Sequence, residues 1–101
     1  MNDAVTPYPL AFSDAALADL TTRLAMTRWP EDATAEAWVQ GAPLKNMQAL
    51  VERWQNGYDW RACEAKLNEL SPSMTTIDGL DIHFLHLRSP EPDAIPLVLT
   101  H

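Results

Sequence analysis

Around Ser71 to Thr75 the sequence changes its hydrophobic period, and no other feature limits the fold as strongly. Upstream, apolar residues recur at steps of three and four, the repeat of a helix with one buried face. Downstream they alternate at steps of two, as on a strand with one buried face. The expected class is therefore α+β in chain order, a helical meander over 1–73 followed by strands over 74–101. A chain of 101 residues has room for one core of ordinary size and no second one.

The strand half is anchored by Ile77-Asp78-Gly79-Leu80. Asp-Gly suits the two positive-φ positions of a type I′ turn, which predicts a hairpin over about 74–88. A two-residue turn sets Ile77 opposite Leu80 and Thr75 opposite Ile82, so Thr75, Ile77, Leu80, Ile82 and Phe84 share one side. Leu85 and Leu87 fall on the other side, which predicts that both faces become covered. After the loop Arg88 to Ala94, the run Ile95-Pro96-Leu97-Val98-Leu99-Thr100-His101 reads as a third, interior strand. An interior strand beside a lone hairpin leaves edges and apolar faces open, so the sequence reads as the front part of something larger.

In the helical half, Ser13 caps a helix expected over about 14–28, Asp14 favours its positive end, and Phe12 can staple to Leu17. Leu17, Leu20 and Leu24 form one face, Asp19 and Arg23 pair one turn apart, and Trp29-Pro30 stops the run. Thr34 to Gly41 is predicted to make one or two helical turns, capped by Thr34, ended by Gly41 and anchored by Trp38. Pro43 opens a helix bearing Leu44, Met47, Val51 and Trp54, for which Gly57 supplies a left-handed stop. Asp59 caps a last helix with Trp60, Cys63, Leu67 and Leu70 in line, ending at Ser71-Pro72.

Composition narrows function by exclusion. Apolar residues make up 47% and charged residues 21%, as in a globular segment. Fourteen acidic against seven basic residues leave a net charge of −7, which disfavours nucleic acid or an anionic membrane as partner. The start, Met1-Asn2-Asp3-Ala4-Val5, lacks the features of a signal peptide, and no apolar run approaches the ~20 residues that span a bilayer. Cys63 is the single cysteine, which suits a reducing compartment, so the expected location is cytoplasmic.

Several stretches, in order and spacing, resemble the N-terminal region of microsomal-type epoxide hydrolases, a branch of the α/β-hydrolase superfamily. They are Thr27-Arg28-Trp29-Pro30, Trp38 with Gly41, Trp54 into Tyr58-Asp59-Trp60-Arg61, Leu67-Asn68, Ile77-Asp78-Gly79-Leu80, His83-Phe84-Leu85-His86 and Pro96 to His101. Ser71-Pro72-Ser73-Met74 departs from the family pattern, which would place proline directly after the leucine and an aromatic residue at 74. The resemblance implies conversion of an epoxide to a vicinal diol through an alkyl-enzyme ester on a carboxylate, cleaved by a His-activated water. Two tyrosines hold the epoxide oxygen. Every one of those groups would lie beyond residue 101, so the chain alone is expected to be inactive, with no cofactor and no metal. Its partners would be the remaining hydrolase core and lid, and for the complete enzyme a small epoxide, in xenobiotic or aromatic hydrocarbon catabolism. By the same resemblance His101 opens the oxyanion-hole motif, although the polarising N–H belongs to a later residue.

Other candidates have plainer explanations. His83 and His86 lie an odd number of residues apart, which on a strand sends them to opposite faces, whereas metal ligands must converge. Cys63 sits on an apolar helical stripe and reads as a small hydrophobe. Asp59 and Arg61 read as a cap and an ion pair with the docked body, and Asp78 with Gly79 as turn residues. Trp29, Trp38, Trp54, Tyr58 and Trp60 read as packing or docking anchors, with three of the five gathered between 54 and 60. Two alternatives stand beside the epoxide hydrolase: a free-standing acidic helical adaptor docking through the Trp54–Trp60 corner, and the N-terminal part of a sister esterase or dehalogenase. Uncovered aromatic and strand surface would also favour self-association.

Overall fold

Asp78 and Gly79 adopt φ of 50° and 79°, the positive values that a type I′ turn demands of both central residues. They join strands β2 (Pro72–Ile77) and β3 (Leu80–Leu85) in a computed structural model that describes residues 4–100. To keep chain order, β1 is the short strand Thr6–Pro7, and the sheet order is β1-β2-β3. The hairpin register runs from Ile77 opposite Leu80, through Thr75 opposite Ile82, to Pro72 opposite Leu85. The expected face of Thr75, Ile77, Leu80, Ile82 and Phe84 therefore forms. Thr76 and Asp81 pair on the other face, with the threonine hydroxyl donating to the carboxylate at 2.8 Å.

The third strand differs from expectation. Residues 95–100 carry no strand assignment, and the sheet takes its third member from the N-terminal arm, with Thr6 opposite Met74 and Pro7 opposite Ser73. Two prolines, Pro7 and Pro9, hid this strand. Proline cannot donate to a ladder, yet an edge position leaves it room, and the Tyr8 N–H bonds the Pro72 carbonyl at 2.9 Å to continue the pairing. Pro72 itself stands at the first residue of β2. A second tie follows at once, since Asn68 Oδ1 accepts the Leu10 N–H at 2.7 Å and Asn68 Nδ2 donates to the Leu10 carbonyl at 2.9 Å. The side-chain amide replaces a strand neighbour and fixes the arm.

Helix α1 (Asp14–Ala25) begins as its sequence dictates, with Ser13 Oγ accepting the Ala16 N–H at 3.1 Å. It stops three residues before the expected end because Met26 and Thr27 close the last turn, and the Thr27 hydroxyl donates to the Leu24 carbonyl at 2.7 Å. No helix forms between Thr34 and Gly41. Trp38 at φ 69° and Gly41 at φ 122° leave the helical region, and the segment is too short to nucleate against that. Helix α2 (Leu44–Gly57) starts after Pro43. Gly57 is its last residue rather than a left-handed stop, and the turn outward is made by Tyr58 at φ −92°, ψ 124°. Asp59 Oδ1 accepts the Ala62 N–H at 3.1 Å and caps α3 (Trp60–Asn68). Leu70 and Ser71 fall beyond that helix in a turn, Ser71 at φ 54°.

Two compact units result. One is Ala11–Cys63, with α1, α2 and the opening of α3; the other joins the chain up to Leu10 with the stretch from Glu64 onward and holds the sheet. Neither contains a closed apolar core: among the described residues no aliphatic, aromatic or sulfur-bearing side chain is fully buried. Among the described residues no helix is long and apolar enough to cross a membrane.

Candidate functional site

Three helical segments of the Ala11–Cys63 unit line one open apolar groove of about 700 Å³. Helix α1 supplies Leu17 and Leu20, α2 supplies Leu50, Arg53 and Trp54, and Tyr58 and Trp60 flank the corner into α3. The steps of three and four that make each helix amphipathic also turn these residues to the same side. Phe12, expected to staple to Leu17, lines the same groove and sets its ring edge-on to Trp60, with centroids 5.4 Å apart and planes at 81°.

Polar contacts hold the groove's corner. Arg61 donates to the Phe12 carbonyl at 2.7 Å and ion-pairs with Asp14. The arginine, read from sequence as reaching a docked body, thus ties α3 to the start of α1 inside its own unit. The hydrogen bond with the Cys63 side chain, followed by burial, holds the Tyr58 phenol above the ordinary tyrosine range.

The sequence-derived anchors divide into two groups. Trp54, Tyr58 and Trp60 converge on the groove, whereas Trp29 and Trp38 lie outside its lining. Trp38 is 65% exposed on a left-handed backbone that a bulky residue rarely adopts. Asp78 and Gly79 form the hairpin turn in the other unit, where His83 packs edge-on to Tyr8 with centroids 5.7 Å apart. His101 lies outside the described residues. Sequence reasoning missed Leu50 and Arg53, although each sits three or four residues from Met47, Trp54 or Gly57 along α2. It also missed Glu64, which is buried at 9% exposure. The signal was present, since position 64 lies four beyond Trp60 and three before Leu67, on the stripe itself.

Comparison with known proteins bears on what such surfaces serve. The family model described as "Epoxide hydrolase N terminus" matches residues 5–101. A protein of Stigmatella aurantiaca named as an epoxide hydrolase is 52% identical over 97 residues, covering 96% of this chain and 22% of its own length. Epoxide hydrolase 1 of Sus scrofa is 28% identical over 104 residues, covering 99% of this chain and 23% of its own. The chain thus spans under a quarter of the length of these curated relatives. Among solved structures, the epoxide hydrolase of Aspergillus niger matches 91% of this chain and 25% of its own, with TM-score 0.77 and 28% identity. The juvenile hormone epoxide hydrolase of Bombyx mori shares the fold over 91% of this chain, with TM-score 0.77.

Proposed function

The chain belongs to the epoxide hydrolase N-terminal family, and from that premise we propose that it serves as the structural N-terminal part of an epoxide hydrolase. Its helices and strands present apolar faces to an α/β-hydrolase body, and that body carries the groups that open an epoxide to a vicinal diol. The observation that carries this reading is the absence of a closed core among the described residues. Surface left open at that scale is unusual for a monomer and belongs to an interface. Relatives about four times longer supply a body of the right kind to cover it.

The chain's own role is to bury surface and to position, with Asp78, Gly79 and the Asn68 clamp setting the geometry of the sheet. The lone Cys63 supports a reducing, cytoplasmic setting. The test is a chimera in which this chain replaces the matching N-terminal region of the Stigmatella aurantiaca relative. We expect that chimera to hydrolyse styrene oxide while the 101-residue chain alone does not. Turnover by the purified chain alone, or a chimera that fails to fold where its parent folds, overturns the reading.

A further inference from the structure

Arg53 is the one cation among the residues lining the groove, and that lining holds no acidic residue. The other arginines of the helices have assigned partners nearby, Arg23 with Asp19 and Arg61 with Asp14. Among the described residues Arg53 takes part in no salt bridge of its own. A guanidinium at the edge of an apolar groove is tolerable while the groove is open to water. Once the groove is covered, that charge loses hydration and requires an anion in reach.

The groove is also the wrong shape for a small molecule. Ligand cavities bury most of their ligand, whereas Phe12 and Leu50 are 51% and 63% exposed here. An open face of this kind suits a polypeptide segment laid across it, in the manner of a helix in a groove. Resting on the function proposed above, we infer that the groove is filled by an apolar segment of the α/β-hydrolase body that bears one carboxylate, and that this carboxylate pairs with Arg53. The fork of the guanidinium matches a carboxylate through two parallel hydrogen bonds, so the pair would fix the register of that segment as well as neutralise the charge.

The same chimera tests this by a separate readout. Arg53→Glu should lower its melting temperature by about 3 °C or more, Arg53→Gln by less, and neither should alter the helicity of the 101-residue chain alone. In an Arg53→Lys chimera, carbodiimide should couple position 53 to an acidic residue downstream of the replaced region, which peptide mass spectrometry would locate. Unchanged melting of Arg53→Glu overturns the inference while leaving the proposed function intact, provided the chimera folds and turns over epoxide. Coupling confined to this chain or to a second copy of it overturns the inference in favour of an internal or homodimeric contact. Failure of the unsubstituted chimera to fold removes both readings.

Discussion

The hairpin and the helical corner solve the same problem in opposite ways. In β2 and β3 every residue from Pro72 to Leu85, apart from the two in the turn, has a cross-strand partner, and the geometry follows from two residues at the turn. The helical unit has side-chain caps at the starts of α1 and α3 and a braced corner, yet Trp54, Tyr58, Phe12 and Leu50 stay about half exposed or more. Backbone hydrogen bonding can be completed locally; apolar burial needs a second surface. The comparison teaches that the hairpin and the helix starts are set by residues close in sequence, whereas among the described residues apolar closure is not.

The largest effect should appear when the second surface is withheld. Four tryptophans at about 150–250 Å² each represent on the order of 15–25 kcal/mol of gross burial, against a net stability of only ~5–15 kcal/mol for a whole domain. The chain by itself is therefore expected to fold marginally and to associate, with red-shifted tryptophan emission, weak near-ultraviolet circular dichroism and concentration-dependent sedimentation. A sharply melting monomer with blue-shifted emission would mean that the helices close a core of their own, and the contrast between the two regions would collapse.

A smaller effect separates the N-terminal arm from both. Asn68→Ala leaves the Leu10 N–H and carbonyl without their partner, at a cost of about 1–3 kcal/mol because the site is part-buried. Amide exchange at Leu10 and Tyr8 should accelerate while the amides of Ile77 to Leu80 keep their protection. Asn68→Asp should not rescue it, since the carboxylate accepts from the Leu10 N–H but turns a second acceptor toward the Leu10 carbonyl. Uniform acceleration across β2 and β3 would show instead that the arm and the hairpin open as one unit.

What could be read from sequence follows the same division. The Asp78-Gly79 turn, the Ser13 and Asp59 caps and the helical stripes were legible because each is decided by residues a few positions apart. The arm strand was not, because its partners are more than sixty residues away and its own composition argues against a strand. Thr34 to Gly41 misled because local capping signals say nothing about the left-handed Trp38 between them. At the groove, the aromatic anchors were legible from spacing, whereas Arg53 was missed, because only the packing of the helices brings it to the same lining as Leu17 and Leu20.

Two glycines sharpen the contrast with opposite signs. Gly79 sits at φ 79° and a Cβ added there meets nothing within 4 Å, so the cost expected of Gly79→Val is backbone strain of about 1–2 kcal/mol. Gly57 ends α2 without a left-handed backbone, and a methyl there would meet only the Arg53 side chain at 3.8 Å. Gly57→Ala should thus stabilise by about 0.5–1 kcal/mol, by restricting the unfolded chain. Chemical denaturation of the two variants in the full-length chimera checks both. Destabilisation by Gly57→Ala would restore the left-handed stop that its position after a helix suggests.

The smallest effect lies at alkaline pH and belongs to the helical corner alone. Because the Cys63 side chain bonds the Tyr58 hydroxyl, the folded chain keeps this proton above the ordinary tyrosine value of about 10, where the unfolded chain releases it. The unfolded state then binds fewer protons than the folded one, so stability is constant below that pH and falls as pH rises through and beyond it. Tyr58→Phe should flatten this alkaline decline and, because the same hydrogen bond is lost, lower the melt at neutral pH slightly. Cys63→Ala should bring the Tyr58 phenolate transition down toward the ordinary value, read as phenolate absorbance after subtracting the Tyr58→Phe titration. A Tyr58 transition that stays raised in Cys63→Ala would assign the shift to burial in the groove rather than to the thiol. Covering the groove should then raise it further.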